Sequence, residues 1–530
     1  MADSRAIRLA GLSLVLLLAV PACARAANPR PRTIPALRVW KGAARGSYRL
    51  PRSIRIVVPK RYYRGLRSTA RVFAVDLRRL THRRVRVVRL RGRRRLRRGD
   101  IRLLLRARDR RLGREGYRLV VGRSLDVRAR TATGVFYGTR TLLQLLHQRF
   151  SVPRGRALDW PRYPERGLMI DLGRRIYPPA WIKSHIRELA YLKLNLLHLH
   201  LTDDQRWGVE SSSHPELASP GALSKPQLRS IIALAGRYHV TVVPEIDMPG
   251  HLGSVFRKHP DLELRTAAGT IPPASSPESR KLDITNPAAL RFVRDVLDEY
   301  LPLFPGRYWH VGGDEYLMPT EYSLYPRLAS YARAKYGSRA NTKDAILGFF
   351  NWVDSIVRAH GKTLRAWHDE LRDGAVLRAN PDILVEWWVN ISPLSDPQPP
   401  TPSELLAAGH KIMNAGWYPT YYTGNVGPIN GKPDMRTAYE GWQVNQFYGP
   451  DGGSSSLRFP PYVISPTEPR NVGSKLNAWN NAELSLAQIT SGIYPRLRVI
   501  AQKTWESPLL APSYASFQGV MASVGHAPGY

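Results

Sequence analysis

Asp314 and Glu315 place two carboxyl groups side by side, directly after His310-Val311-Gly312-Gly313. The two glycines permit a tight backbone there. Neighbouring residues at a strand end need not point the same way, so one carboxyl can aim at a leaving-group oxygen while the other reaches a different part of the substrate. Crowding two carboxyls is expected to raise the pKa of at least one, which keeps a general acid protonated near neutral pH. An Asp-Glu pair is commonplace on a solvated surface, so its meaning depends on what holds it.

Two other groups of residues bear on that question. His198 and His200 in His198-Leu199-His200-Leu201-Thr202-Asp203-Asp204 lie at period two and therefore on one face of a strand. Together with Asp203 they are compatible with a metal-dependent barrel hydrolase. That reading needs further ligands at later strand ends, where only His251 and His310 are suitable and no lysine is. Interior histidines bonded to carboxyls are the better reading, with no metal. Aromatic residues recur farther on: Trp367, Trp387, Trp388 and Trp479, joined by Tyr421 and Tyr422. Any one of them reads as core, but several at the ends of strands of one barrel suggest a cage whose ring faces stack on the apolar face of a sugar.

The elements that must position these residues follow from the pattern of short apolar runs. Gly167–Asp171, Asn195–Leu201, Val240–Ile246, Tyr308–Gly313, Thr363–Trp367, Ile383–Trp387, Lys411–Asn414 and Lys475–Trp479 are each followed by polar residues and then a helical stretch. The expected fold is α/β, a (β/α)8 TIM barrel over 161–510, whose active site would lie at the C-terminal strand ends. Before it, 30–160 reads as a small α+β domain, with strands at Ile54–Val58 and Val85–Leu90, two more between Gly116 and Val127, and a helix over Thr131–Gln148. The Gly-, Pro- and Ser-rich stretch from Tyr422 to Tyr462 is expected to be a long loop over the barrel mouth.

Composition bounds the class. A chain of 530 residues with 43% hydrophobic content can build two or three domains and a large core. Residues 1–26 read as a secretory signal: Arg5 and Arg8, an apolar run from Leu9 to Val20, and cleavage near Ala26. That run is too short to span a bilayer and no comparable stretch follows, so no transmembrane segment is expected and the protein is expected to be secreted. The single cysteine, Cys23, falls inside the signal. Lipid anchoring there is the weaker alternative, since Val20 and Pro21 fit poorly before a lipidated cysteine. The formal charge of +39 comes mostly from arginine. Between Arg78 and Arg114 the arginines interleave with Val, Leu and Ile as on solvated strand faces, which argues against a specific nucleic-acid site and leaves weak association with anionic cell-wall polymers.

Four stretches resemble family 20 glycoside hydrolases, the β-N-acetylhexosaminidases: Arg166–Asp171, Lys193–Asp204, Pro244–His251 and His310–Glu315. Gly116-Tyr117 and Tyr137–Leu146 resemble the small domain that precedes the barrel in that family. The resemblance implies hydrolysis of terminal non-reducing N-acetyl-D-hexosamine residues by retaining, substrate-assisted catalysis, without a cofactor, on N-acetylhexosamine-containing glycans. It implies Glu315 as the acid and base, and Asp314 as the residue that orients the acetamido nitrogen. By the same resemblance Tyr421 bonds the acetamido oxygen, Trp367, Trp388 (or Trp387) and Trp479 enclose its methyl group, Arg174 holds ring hydroxyls, and Asp203 with His251 supports the acid. Two departures concern the sugar preference: Asn481 and Thr423 stand where the family often has acids that bind remote hydroxyls. Gly173 and Arg175 also replace bulkier and histidine-type neighbours of Arg174. The competing readings are the metal-dependent hydrolase and a non-catalytic, wall-associated carbohydrate-binding protein.

Overall fold

The computed structural model describes residues 27–90, 96–271, 280–389, 399–424, 435–448, 461–479 and 484–530. The signal segment, Cys23 and Asn481 lie outside the described residues, as do 425–434 and 449–460 of the expected loop.

The N-terminal unit is a seven-stranded mixed sheet, in the order Val39–Arg49, Ser151–Asp159, Tyr117–Val121, Leu125–Ala129, Ile101–Leu104, Ser53–Pro59, Arg84–Leu90. Helices Lys60–Thr81 and Ala132–Gln148 cover one face. The first of these leads into the block that starts at Arg78, is itself rich in arginine, and has no counterpart in the sequence reading. Its buried residues Leu66, Ala70, Phe73 and Leu77 recur at helical spacing, while Arg61, Arg64, Arg67 and Arg71 stay exposed between them. The sheet unit is fastened to the barrel by buried polar groups. Asp76 receives the Tyr238 hydroxyl at 2.8 Å and pairs with Arg140, and Gln144 bridges the Ile34 amide and the Tyr191 carbonyl, each at 2.8 Å.

The second unit is a closed barrel of eight parallel strands: Glu165–Asp171, Leu196–His200, Thr241–Glu245, Tyr308–His310, Thr363–Trp367, Leu384–Trp387, Lys411–Asn414 and Asn471–Ala478. Each overlaps one of the eight runs expected from the sequence. Closure comes from the last strand, which pairs with the seventh at Ile412↔Asn471 and with the first from Gly473↔Glu165 to Ala478↔Ile170.

Inside the barrel the side chains form three tiers. The lowest is apolar and includes Leu196, Val243, Leu384 and Met413. Above it lies a layer of buried ionisable groups: His198, Glu245, His310, Arg365, Glu386 and Lys475. Arg365 lies 2.7 Å from Glu386 and 2.6 Å from Glu165, and Lys475 pairs with Glu386 and touches His198. The upper tier, at the C-terminal strand ends, is aromatic and carries the site.

Candidate active site

Asp314 and Glu315 follow the fourth strand through two glycines that the geometry requires. Gly312 and Gly313 have φ of 71° and 88°, and a Cβ on either would sit 1.9 Å from Asp247 Oδ1 or 2.4 Å from the Phe350 ring. Glu315 itself has φ 51°, and His251, which faces it, has φ 54°. Two non-glycine residues held left-handed within one constellation mark a backbone that the surrounding packing forces into place.

His251 is the hub of the carboxyl cluster. Its Nε2 lies 3.3 Å from Glu315 Oε2 and 3.7 Å from Asp314 Oδ2, and its Nδ1 lies 3.6 Å from Asp203 Oδ1 and 3.4 Å from Asp204 Oδ2. Burial opposes charge on the imidazole, but Asp203 and Asp314 raise its pKa well above the ordinary histidine value. Asp203 is shared further: Arg174 Nη1 reaches its Oδ2 at 2.8 Å, and His200 Nε2 reaches the same oxygen at 2.9 Å. Arg174 is also 3.3 Å from Asp171 and lies over the Trp479 ring, so its guanidinium is held from two sides. Gly173 allows this approach, because a Cβ there would lie 2.6 Å from the Asp203 Cβ. A bulkier neighbour of Arg174 would not fit against the second strand.

The aromatic box stands beside the carboxyls. Trp367, Trp388 and Trp479 form one cluster with Met169 and Val389, and Tyr421 and Trp417 pack on it. Trp388 and Tyr421 are nearly parallel, 9° apart with centroids at 6.4 Å, whereas Trp367 and Trp479 meet at 46° and 6.1 Å. Trp367 Nε1 donates to Glu245 Oε1 at 2.7 Å, which ties the box to the charged layer below. Burial, and then Asp314, raise the Tyr421 pKa well above that of a free phenol, so the hydroxyl remains a donor. Trp387 is directed elsewhere: it packs on Phe447 and Tyr462 in the main core, and only Trp388 of that pair joins the box. Thr423 is half-buried just beyond Tyr422.

Crowding does raise carboxyl pKa values here, but Glu315 is not among those raised. Burial and the neighbouring carboxylates push up Asp314, Asp247 and Asp369. Burial acts on Glu315 in the same direction, yet the hydrogen bond and charge of His251 and the charge of Arg174 hold it lower. Its side chain keeps 42% exposure at the open mouth. A bound sugar that covers Glu315 removes that water and favours its protonated form.

Four residues to which the sequence reading gave no role belong to the same constellation. Asp247 accepts the Gly313 amide at 2.8 Å. Asp369 accepts the Glu315 amide at 2.7 Å and the Trp388 indole at 2.9 Å, joining acid and box through one carboxyl. Trp417 extends the box, and Glu245 carries the hydrogen bonds of Trp367 and of His200 Nδ1, the latter at 2.7 Å. Asp247 and Asp369 sit two positions after Glu245 and Trp367, the last residues of their strands, a spacing that could have revealed them.

His198 and His200 are committed to this framework. Lys475 meets His198 Nδ1, and burial with that neighbouring cation takes the His198 pKa down to about 3. His200 bridges Glu245 and Asp203. A cation bound by His198 would face the Lys475 ammonium, so a metal-dependent hydrolase centred on His198, His200 and Asp203 is not favoured.

A closed barrel with an acid pair, an arginine and an aromatic box at its C-terminal mouth defines a sugar-cleaving hydrolase. Residues 163–508 match the family model of the glycosyl hydrolase family 20 catalytic domain, and 30–160 match domain 2 of that family. The chain belongs to glycosyl hydrolase family 20. It is 30% identical over 420 residues to a β-N-acetylhexosaminidase of Cellulomonas fimi, covering 75% of each chain. It is also 30% identical over 398 residues to a lacto-N-biosidase of Bifidobacterium bifidum, where the match takes in 74% of this chain and only 33% of that longer protein. The fold superposes on the N-acetyl-β-hexosaminidase of Streptomyces plicatus in complex with Thio-NAglucal, with TM-score 0.70, 25% identity and 95% coverage of both chains. For the family 20 β-N-acetylhexosaminidase of Streptomyces coelicolor A3(2) the values are 0.71, 26%, and 95% and 96%. The chain is a glycoside hydrolase that cleaves terminal N-acetylhexosamine.

Proposed function

We propose that the substrate's own acetamido group is the nucleophile and that the residues at the barrel mouth divide the remaining work. Glu315 gives its proton to the glycosidic oxygen as the acetamido carbonyl oxygen attacks the anomeric carbon, releasing the alcohol and forming an oxazolinium ion. Asp314 accepts the acetamido N–H and balances the positive charge. Tyr421 donates to the acetamido oxygen, and Trp367, Trp388 and Trp479 enclose the methyl group. Glu315 then takes a proton from water as that water opens the ring, and the configuration at the anomeric carbon is retained. Arg174, fixed by Asp171 and Asp203, holds ring hydroxyls, while His251 positions Glu315.

The observation that carries this reading is that the Asp314–Glu315 pair, held by His251, stands beside the box that Tyr421 and the three tryptophans form, with Asp369 bonded both to the Glu315 amide and to the Trp388 indole. The test is hydrolysis of 4-nitrophenyl N-acetylglucosaminide and N-acetylgalactosaminide by wild type, Asp314→Asn and Glu315→Gln, with the anomer of the product followed by NMR. A wild type inactive on both substrates, or an inverted product, overturns it. The ratio of the two rates measures the preference that Asn481 and Thr423 leave open.

We also propose that the protein is exported and associates weakly with anionic wall polymers. The sheet face opposite the two helices of the N-terminal unit carries Arg55, Arg86, Arg102, Arg118, Arg128 and Arg156. Arg55 pairs in register with Arg86, and Arg118 with Arg128, while Asp126 pairs with Arg102 and Arg128 and Asp100 with Arg55. Such a face supports non-specific binding that falls steeply with salt. Co-sedimentation with anionic wall polymer that persists at about 0.5 M salt, or is absent at low salt, counts against it.

A further inference from the structure

Two loops beside the site carry the same short phrase. His214-Pro215-Glu216-Leu217 lies after the second barrel strand and His259-Pro260-Asp261-Leu262 after the third. The histidines have nearly the same backbone, φ −136°, ψ 69° and φ −128°, ψ 67°, and each opens a single 3-10 turn whose leucine is buried. The repeated geometry turns the two imidazoles toward each other, with centroids 5.9 Å apart at 81°. Glu216 stands between them, its Oε1 2.7 Å from His259 Nε2 and 3.6 Å from His214 Nδ1. On the far side of His214, Nε2 faces Asp295 Oδ2 at 3.6 Å.

We propose that His214, Glu216 and His259 bind one divalent transition-metal ion, of the zinc type, and that Asp295 orients His214 from behind. Their ligand atoms all lie within 4.8 Å of one another. Two ligands of a tetrahedral zinc at bond lengths of about 2.0–2.1 Å are separated by about 3.3 Å. The observed 2.7 Å and 3.6 Å straddle that value and the two histidine nitrogens lie within 4.8 Å of each other, so rotation of these partly exposed side chains closes the site. Two imidazole nitrogens and one carboxylate oxygen favour zinc, nickel or copper over calcium or magnesium, which take oxygen donors. A carboxylate behind a ligating histidine fixes its tautomer, the role Asp295 is placed to fill. The competing use of these residues is a plain His259–Glu216 ion pair, which requires neither His214 nor Asp295.

The consequence is structural. The loop that carries His214 begins with Asp203 and Asp204, and the loop that carries His259 begins with His251, which reaches both acids. An ion at the far end would clip together the two loops whose near ends support Glu315. The chemistry itself needs no ion.

The full chain, stripped with chelator and titrated with zinc chloride at pH 7.5 by calorimetry, is expected to take up one equivalent and to melt a few degrees higher once zinc exceeds its dissociation constant. His214→Gln and His259→Gln should each weaken uptake at least tenfold, and the double variant should lose the melting shift. All three should keep wild-type turnover of the nitrophenyl substrate, which shows that they fold. Absence of stoichiometric uptake by wild type overturns the proposal. So does undiminished uptake by the double variant, which would place the ion elsewhere.

Discussion

The charged layer inside the barrel and the mouth above it are both built from clustered ionisable groups, but they are balanced differently. In the layer, acids face bases: Glu386 meets Lys475 and Arg365, and Glu165 meets Arg365. At the mouth six carboxyls, Asp203, Asp204, Asp247, Asp314, Glu315 and Asp369, surround Arg174 and the imidazoles of His200 and His251. Although burial alone would raise it, Glu386 is held far below the carboxylate range by Lys475 and Arg365. At the mouth Asp247 and Asp369 are pushed well above that range. Balanced charge there fixes a shape, whereas surplus carboxyl stores protons beside the bond to be broken.

The sharpest way to break this contrast is at Glu315. Glu315→Gln is expected to lower kcat/KM by about 10⁴ on an unactivated chitobiose-type substrate, and by less on a nitrophenyl glycoside whose leaving group needs little protonation. Equal losses on both would mean that Glu315 is not the acid. Asp314→Asn should cost about 10²–10³ in kcat on either substrate, since it removes charge stabilisation rather than a proton. In the layer the effect should move from rate to stability. Lys475→Met leaves the buried Glu386 with Arg365 as its one remaining close cation, at a cost of about 3 kcal/mol, while Lys475→Met with Glu386→Leu leaves Arg365 paired with Glu165 and should recover most of it. Chemical denaturation reads both, and a single variant as stable as wild type would show that the layer is not held by charge.

Acid should separate the two tiers as well. Glu386 has a depressed folded pKa, so its contribution is full above about pH 4.3 and is lost as pH falls toward the folded value. Asp247 is shifted the other way: its contribution is present below about pH 3.9 and is lost as pH rises toward the raised folded value. Asp247→Asn imitates the proton-bearing form. Its stability relative to wild type should therefore grow by about 1.4 kcal/mol per pH unit above pH 4, for as long as wild type retains the proton. A constant difference between pH 4 and 6 would rule out a stored proton at Asp247. The smallest effect is expected from Trp387→Phe, which should leave KM within about twofold because that ring packs outside the box.

The barrel strands were legible because each is a short apolar run that ends in polar residues, a pattern that survives the arginine-rich composition. The helix Lys60–Thr81 was hidden by it. Arginine there occupies exposed helical positions, while in the neighbouring strands it occupies exposed alternate positions, so the block reads as one kind of element. The carboxyl pair, Arg174, His251 and three of the four tryptophans named from the sequence lie together at the mouth. What the chain alone left open was direction and sign. Trp387 and Trp388 are adjacent, and only the inward placement of Glu386 tells which one faces the box. The pKa order of Asp314 and Glu315 depends on His251, which approaches from another strand and so could not be weighed along the chain.

The seam of the barrel has one further consequence. Arg174 follows the first strand and Trp479 the last, yet the guanidinium lies 5.2 Å from the centre of that indole ring, so the site spans the joint that closes the cylinder. A nascent chain cannot turn over substrate until residue 479 and the helices behind it have been made and docked. Turnover is therefore a reporter of completed synthesis, and a permuted chain with new termini on the opposite side of the cylinder should leave the joint, and the reaction, intact.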